Sequence, residues 1–431
     1  MKIHLDLDCY FVSAERTRHP FLKNRCVAIA KGGDKKIFSN RKKDGVFLNK
    51  TGAFNAMLEF KNDFFHHAPV SVWKNEFIDE GGTIHGIIIA KSYETKPCGI
   101  KTGMPLKEAL LRCPGLIVLP SDHLFYQELS CRLKSFLEFK IPLLEQYSID
   151  EFFGDLDGWI KDEDTEVFIK NLKNEILQKF DLPITIGASQ SKWIAKLITD
   201  KIKPFGAKAL SQNDVDTFIE HIDINDFPGI GKAVSKKLFS YGVKTLGEAK
   251  TKPQLFESYG KTGRDLYKRI CGIDNEKVVP CSDRQSIGIS RNFKAISDRQ
   301  EVHRRTMILA RYLSHTIQKL KLNPTTFYFK IRYEYGLKNT QSITCNRFFN
   351  EKFLVDLAIE TISKLDNHLG YKIHYIAISA SNFSTKYRPK TFSLLDLEQD
   401  IKSANLSAQM LKIRDRYGVD IIRYASEHSA I

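Results

Sequence analysis

Apolar and polar positions alternate along the opening residues MKIHLDLD, which puts Ile3, Leu5 and Leu7 on one face of a predicted strand. SAERTRHP then reads as a helix start that stops before Pro20, and CVAIA (26–30) as a short buried strand. From Lys31 to about Thr83 the pattern breaks into aromatic, charged and glycine-punctuated pieces, which we read as an insertion at about 34–83. Strand and helix patterns resume with IHGIIIA (84–90), KEALLRCPG, LIVLP and a long amphipathic helix over 121–140. YSIDEFFGDL (147–156) predicts a hairpin, followed by the helix EVFIKNLKNEILQKF, the strand LPITIGAS and the helix KWIAKLITDKI. This alternation predicts an α+β core.

Beyond Pro204 the texture changes. Residues 204–280 read as short helices and glycine turns, without a clear strand. Strand-like stretches (SIGISRNF, TTFYFKIRYEY, HYIAISASNF) then alternate with helical ones at 301–321 and 353–368, the pattern of a small sheet packed with two helices over 285–385. Residues 386–431 read as a linker and a helix. The expected fold is therefore an α+β multidomain one.

Composition narrows the function. At 431 residues the chain is long enough for three or four domains, and 42% hydrophobic with 27% charged residues is ordinary for a globular protein. A net charge of +15 is not ordinary; it points to broad basic surfaces and a polyanionic partner. The eight cysteines are scattered without a CxxC pair, which reads as reduced thiols rather than a disulfide frame or a zinc site. Acids stand where a signal peptide needs an apolar core, and no run approaches the ~20 apolar residues of a membrane helix. A cytoplasmic protein with no membrane partner is expected.

The candidate chemistry begins with Asp150 and Glu151. On a regular strand adjacent side chains point to opposite faces; at a tight turn they can converge, and buried together they need a cation. Asp6 lies on the first strand with Asp8 two residues on, and Asp8 reads as the N-cap of the following helix. If Asp6 neighbours the hairpin in one sheet, three carboxylates meet. Two Mg²⁺ ions would remove their repulsion and clamp the oxygens of an in-line phosphoryl transfer. Tyr93, Lys96 and Lys196 are candidates for holding a triphosphate. FPGIGKAVSKKLFSYGVKTLGEA (227–249) resembles a helix-hairpin-helix, in which Gly229 and Gly231 allow close backbone approach and Lys232, Lys236 and Lys237 lie near enough to grip DNA phosphate without reading sequence.

Taken in order, MKIHLDLDCYFVSAE, SYETK…GIKTGMP, YSIDEFF, ITIGASQSKWIAKLITDKIKPFGA and the PGIG hairpin are similar to the motifs of Y-family, translesion DNA polymerases, from residue 1 to about 385. The resemblance implies a palm (1–10 and 116–203), small fingers carrying the insertion (11–115), a thumb (204–280), a little finger (285–385) and the C-terminal linker and helix. It implies that Asp6, Asp150 and Glu151 bind metal with the Leu7 carbonyl, that Phe11 is a steric gate against ribonucleotides, and that Tyr93 and Lys196 hold the incoming triphosphate. Lys96 stands where the family usually has Arg, which keeps the charge but loses the bidentate fork, so weaker nucleotide affinity or a shifted triphosphate is expected. In the little finger, Arg291 and Arg332, with Lys294, Arg304, Arg305 and Lys330, would grip the DNA backbone.

TFSLLDL (391–397) loosely resembles the peptide by which such polymerases dock on a sliding clamp, without the leading Gln or the Leu-Phe ending. Two rival readings stand beside this one. Nucleotidyl cyclases carry two glycines where this chain has Ser148 and Ile149, and have no use for a DNA-gripping hairpin. A non-catalytic relative would be expected to have lost metal ligands, and all three carboxylates stand; a polymerase dependent on partner proteins for activity stays open. The expected partners are primer–template DNA and deoxynucleoside triphosphates, and the expected activity is error-prone synthesis past damaged template bases.

Overall fold

In the computed structural model, residues 1–32, 35–38, 45–47, 58–60, 73–78, 81–280, 284–384 and 393–427 are described. They fall into two compact units, one made of Met1–Lys31, Val70–Ile78 and Ile87–Ser282, the other of Gly32–Pro69, Asp79–Gly86 and Asp283–Ile431.

The strands begin with β1 (Lys2–Leu7) and β2 (Val27–Lys31) in the first unit; β3 (Gly45–Phe47) and β4 (Leu58–Phe60) form a two-stranded ladder in the second. The first unit continues with β5 (Ile87–Lys91), β6 (Ile117–Pro120), β7 (Leu143–Gln146), β8 (Glu151–Asp155), β9 (Ile184–Ser189) and β10 (Ala207–Ala209). Its main sheet has the order β10-β9-β1-β8-β7, with β1 antiparallel to both neighbours. The predicted alternation holds: Ile3, Leu5 and Leu7 are buried against the helices His123–Lys140 and Thr165–Phe180, whose Leu133, Leu137, Ile169, Leu172 and Ile176 complete the core. His4 and Asp6 point to the opposite face, under the helix Lys192–Ile202. That helix lies directly on β9 because residue 187 is glycine; a Cβ there would stand 2.4 Å from the Ala195 carbonyl oxygen. A smaller sheet, β5-β2-β6, packs beside the helix Tyr10–Arg18.

Residues 204–280 add short helices around Ile219, Phe227, Leu238, Leu246, Phe256 and Ile270. Trp193, Ile194, Leu197 and Ile198 of the helix Lys192–Ile202 belong to the same cluster, so one helix serves both the sheet and this helical region. Gly229 has φ +99°, a left-handed conformation that glycine adopts without steric cost, and Gly231 caps the helix Lys232–Ser240.

In the second unit β11 (Ser286–Ile296), β12 (Pro324–Tyr333), β13 (Lys338–Thr344) and β14 (Ile373–Phe383) form an antiparallel sheet of order β11-β14-β12-β13. The helices Arg299–Lys319 and Glu351–Leu365 cover one face, as the sequence pattern predicts. The predicted C-terminal helix is present as Leu397–Tyr417, and it packs into this unit: its buried Arg414 pairs with buried Glu351 at 2.5 Å, and Asp400 accepts from Arg347 at 2.7 Å and from Asn350 at 3.1 Å. Beyond it, Glu427 and Asp420 close on the buried guanidinium of Arg311, both at 2.8 Å. Such buried pairs anchor the segment, since removing either partner strands a charge away from water.

The insertion was expected to belong to the fingers, yet its Ile37 and Phe38 are buried in the core of this second unit, Phe38 lying 5.9 Å from Phe293 with Arg305 over both rings. Most of the remaining insertion lies outside the described residues, while Trp73 packs on His19 and Phe21 in the first unit.

Candidate active site

The register of the main sheet sets the site. Asp6 on β1 pairs directly across from Glu151 on β8, and the Leu7 amide donates to the Asp150 carbonyl at 3.0 Å. Asp150 closes the four-residue turn between β7 and β8, so it escapes the strand alternation and joins its neighbour at one edge. Ser148 holds this geometry. Its hydroxyl donates to Asp150 Oδ1 at 2.6 Å and accepts from the Asp150 and Glu151 amides at 3.3 and 3.1 Å. Burial pushes the Asp6 carboxyl up to about 8, against the pull of Lys203, and burial also raises that of Asp150, against its bond from Ser148. Three convergent, half-desolvated carboxylates of this kind are a hard-cation donor set.

Cations meet them. Lys196 donates to Glu151 at 2.5 Å and Lys203 to Asp6 at 2.6 Å, both from the helix Lys192–Ile202 or the residue after it. Beside the carboxylates opens a cavity of about 350 Å³ lined by Asp6, Leu7, Phe11, Lys91, Tyr93, Asp150 and Lys203, among others. Phe11 stands against Tyr126, stacked at 4.6 Å and 15°, which makes it a fixed wall.

Asp8 departs from the expected N-cap. Cys9 occupies that position, without a side-chain cap, and Asp8 is buried, accepting from Thr185 Oγ1 at 3.0 Å, the Tyr93 hydroxyl at 3.1 Å and the Phe205 amide at 2.8 Å. It therefore fixes Tyr93 at the cavity mouth. Lys96 does not line the cavity; its ammonium lies over the Tyr93 ring at 4.7 Å.

Three profiles of one family, described as impB/mucB/samB, match this chain: the main domain over residues 51–200, the helix-hairpin-helix motif over 213–243 and the C-terminal domain over 284–394. The chain belongs to the Y-family of DNA polymerases. It is 27% identical over 444 residues to a DNA polymerase IV of Clostridium kluyveri, covering 98% of this chain and 96% of that one. A DNA polymerase IV of Alkaliphilus oremlandii is 27% identical over 358 residues, covering 79% and 89%. Among solved structures, a Y-family polymerase chimera of Dbh and Dpo4 superposes with a TM-score of 0.66 at 21% identity, covering 89% of this chain and 98% of that one. An insertion ternary complex of Dbh polymerase gives 0.55 at 19% identity over the same shares, and these likenesses concern the fold.

For a Y-family polymerase, the predicted DNA-binding residues sort unevenly. Gly231, Lys232 and Lys236 are exposed at the start of the helix Lys232–Ser240, whereas Lys237 donates to Ser258 at 2.9 Å. In the second unit Lys330 and Arg332 share the sheet face left uncovered by helices, with Arg332 over the Tyr375 ring at 4.6 Å. Arg291 does not join them: it pairs across from the buried Ile376 and has the parity of Ile287 and Ile289. Arg304 and Arg305 are also taken, both bonded to Glu301, with Arg304 reaching the Phe38 carbonyl.

Four residues escaped sequence reasoning. Lys203, Lys91 and Ser148 carry no local signal beyond their type. His4 does carry one, its i, i+2 relation to Asp6: a ring nitrogen lies within 4.8 Å of the Asp6 and Glu151 ligand oxygens, and complete burial holds the imidazole well below its usual range.

Proposed function

We propose that this chain is a DNA-directed DNA polymerase that extends a primer past damaged template bases by metal-assisted nucleotidyl transfer. The observation that carries it is the pairing of Asp6 with Glu151, with Asp150 beside them, at the mouth of a cavity flanked by Tyr93, Phe11 and lysines. The all-oxygen set of Asp6, Asp150, Glu151 and the Leu7 carbonyl suits Mg²⁺, two ions of which would be held there. Bound there, they supply charge neutralisation and Lewis acidity for in-line displacement at phosphorus.

The chain's own groups do the rest. Lys196 and Lys203 now hydrogen-bond Glu151 and Asp6; with those carboxylates turned to metal, both ammonium groups become available to triphosphate oxygens. Tyr93, pinned by Asp8, and the stacked Phe11 define the pocket for base and sugar, where a ribose 2′-hydroxyl would collide with the Phe11 ring. Lys232 and Lys236, with the exposed Gly231 backbone, hold DNA phosphate on one side, and Lys330 and Arg332 do so on the second unit. Water or substrate takes the primer hydroxyl's proton.

Primer extension on undamaged and abasic templates with Mg²⁺ tests the reading. The pair Asp150→Ala/Glu151→Ala should lose about a thousandfold or more in rate, the several kcal/mol that metal charge stabilisation supplies, while DNA binding persists. Wild-type protein that binds DNA without extending it would overturn the stand-alone polymerase.

The segment TFSLLDL, expected to dock on a clamp, lies only partly among the described residues. Residues 391 and 392 lie outside the described residues, and Leu394 and Leu395 follow at 83% and 98% exposure, held near the domain by the Ser393 amide bonding to the Asn346 carbonyl at 2.7 Å. Two adjacent leucines presented to water from an anchored segment suit an apolar groove on a sliding clamp. Leu394→Ala/Leu395→Ala should abolish stimulation by the clamp and leave unassisted extension unchanged.

A further inference from the structure

Three cysteines far apart in sequence meet in the first unit. Cys26 precedes β2, Cys98 closes the 3₁₀ turn Tyr93–Cys98, and Cys113 caps the helix Leu106–Arg112. Their three sulfurs all lie within 4.8 Å of one another. Cys113 is buried and the other two are half-buried, so the cluster is closed on one side and reachable on the other.

The backbone around each is fixed. The Ile117 amide donates to the Cys26 carbonyl at 2.9 Å, the Cys113 amide to the Ala109 carbonyl at 3.0 Å, and the Gly99 amide to the Lys96 carbonyl at 2.9 Å. Cys26 Sγ itself donates to the Glu94 carbonyl at 3.3 Å. The triangle is thus built by a strand, a turn and a helix end, each held in place independently of the sulfurs. Cysteine is also a small apolar filler, and three of them could simply pack. Packing alone, however, does not require all three sulfurs to face one point.

We propose that Cys26, Cys98 and Cys113 form a binding site for one thiophilic metal ion, held by three thiolates and separate from the carboxylate site. Zinc–sulfur bonds of about 2.3 Å place the sulfurs of a thiolate set about 3.8–4.0 Å apart, so the cluster has to close by less than about 1 Å. Soft sulfur donors select zinc, copper(I) and their heavier analogues over magnesium, which keeps this site chemically distinct from the oxygen set of Asp6, Asp150 and Glu151. A trithiolate around a divalent ion carries a net negative charge, and the Arg112 guanidinium, whose Nη2 donates to Glu108 at 2.7 Å, lies against Gly99, next to Cys98; a Cβ at Gly99 would meet Arg112 Nη1 at 3.3 Å. The site also has a mechanical reach. Cys98 ends the same six-residue turn that opens with Tyr93 and contains Lys96, so an ion that locks the turn locks the approach to the nucleotide cavity.

The test uses the full chain, reduced with a non-thiol reductant and kept in excess Mg²⁺ so that the carboxylates are occupied. Cd²⁺ is titrated in, and the near-ultraviolet thiolate-to-metal charge-transfer absorption is followed; carboxylate binding gives no such band. One equivalent should saturate the band, Zn²⁺ should compete for it, and Cys98→Ser and Cys26→Ser should each abolish it, with Cys345→Ser as the unaffected control. Cys98→Ala, at a half-buried position, guards against a misfolded serine variant, and circular dichroism checks each fold. Metal loading should further change KM for the incoming nucleotide with little change in kcat. A protein that shows no thiolate band at one equivalent, or a band that survives in both variants, carries three packed cysteines and no metal site. A disulfide between two of the three formed without any metal band would overturn the proposal equally.

Discussion

In the proposed reaction, Asp6 shows how one residue's surroundings set a condition on the whole. Its carboxyl is pushed by burial up to about 8, so at neutral pH much of it carries a proton that a divalent cation has to displace. The apparent Mg²⁺ affinity should therefore rise with pH until about 8 and weaken by up to tenfold per unit below it, the single Asp6 proton leaving as the site fills. The half-saturating Mg²⁺ concentration for primer extension, measured between pH 6 and 9, checks this; a flat profile would mean that Asp6 is already ionised. Asp150 and Glu151 were legible in the sequence because adjacent acids in an apolar run have few uses, and Asp6 because it stands on a predicted strand in a motif that resembles the family's. The role of Asp8 was not, since its partners Tyr93, Thr185 and Phe205 are 85 to 197 residues away and a local N-cap explained it equally well.

Among the elements, the helix Lys192–Ile202 does the most positioning. It brings Lys196 against Glu151, leads into Lys203 against Asp6, and contributes Trp193 and Leu197 to the helical region beyond. Its height above the sheet depends on Gly187. Gly187→Val would drive carbon into the Ala195 carbonyl and Thr199, lifting the helix and both lysines. The expected result is a loss of about 1–3 kcal/mol in stability, the usual range for overpacking, together with a raised KM for nucleotide. Denaturant unfolding and steady-state kinetics would separate the two effects, and an unchanged KM would detach the helix from nucleotide binding. The periodicity of this helix and of the second unit's sheet and two covering helices was readable, because one-sided burial writes itself into sequence. The docking of the helix Leu397–Tyr417 was not readable: it depends on pairs such as Arg311 with Glu427, which sit 116 residues apart and look like surface charges in isolation.

Over the whole molecule, the charge of +15 resolves into groups with different duties. Several arginines that composition alone would assign to DNA are occupied internally, Arg311, Arg414 and Arg304 among them, whereas Lys330 and Arg332 remain on the open sheet face. Replacing Lys330 and Arg332 with alanine should weaken DNA binding alike on every sequence and lower the slope of log affinity against log salt by about one for each phosphate no longer neutralised. Binding isotherms at several salt concentrations give that slope directly, and an unchanged slope would remove this face from the DNA interface. The same change at Arg291 should leave the slope where it is.

The central place of β1 has a consequence for how the protein is made. Its hydrogen-bonding neighbours, β8 and β9, lie about 150 and about 180 residues further along the chain. At a synthesis rate of roughly 5–20 residues per second, β1 waits some 10–35 seconds on the ribosome before both flanks exist. Until β8 is made, Asp6 has no opposing carboxylate. A message broken, or a ribosome stalled, before residue 150 thus releases a fragment in which Asp6 lacks both of the acids that join it at the candidate site. For an enzyme expected to copy DNA with low accuracy, the strand order means that early fragments cannot assemble the three-acid site.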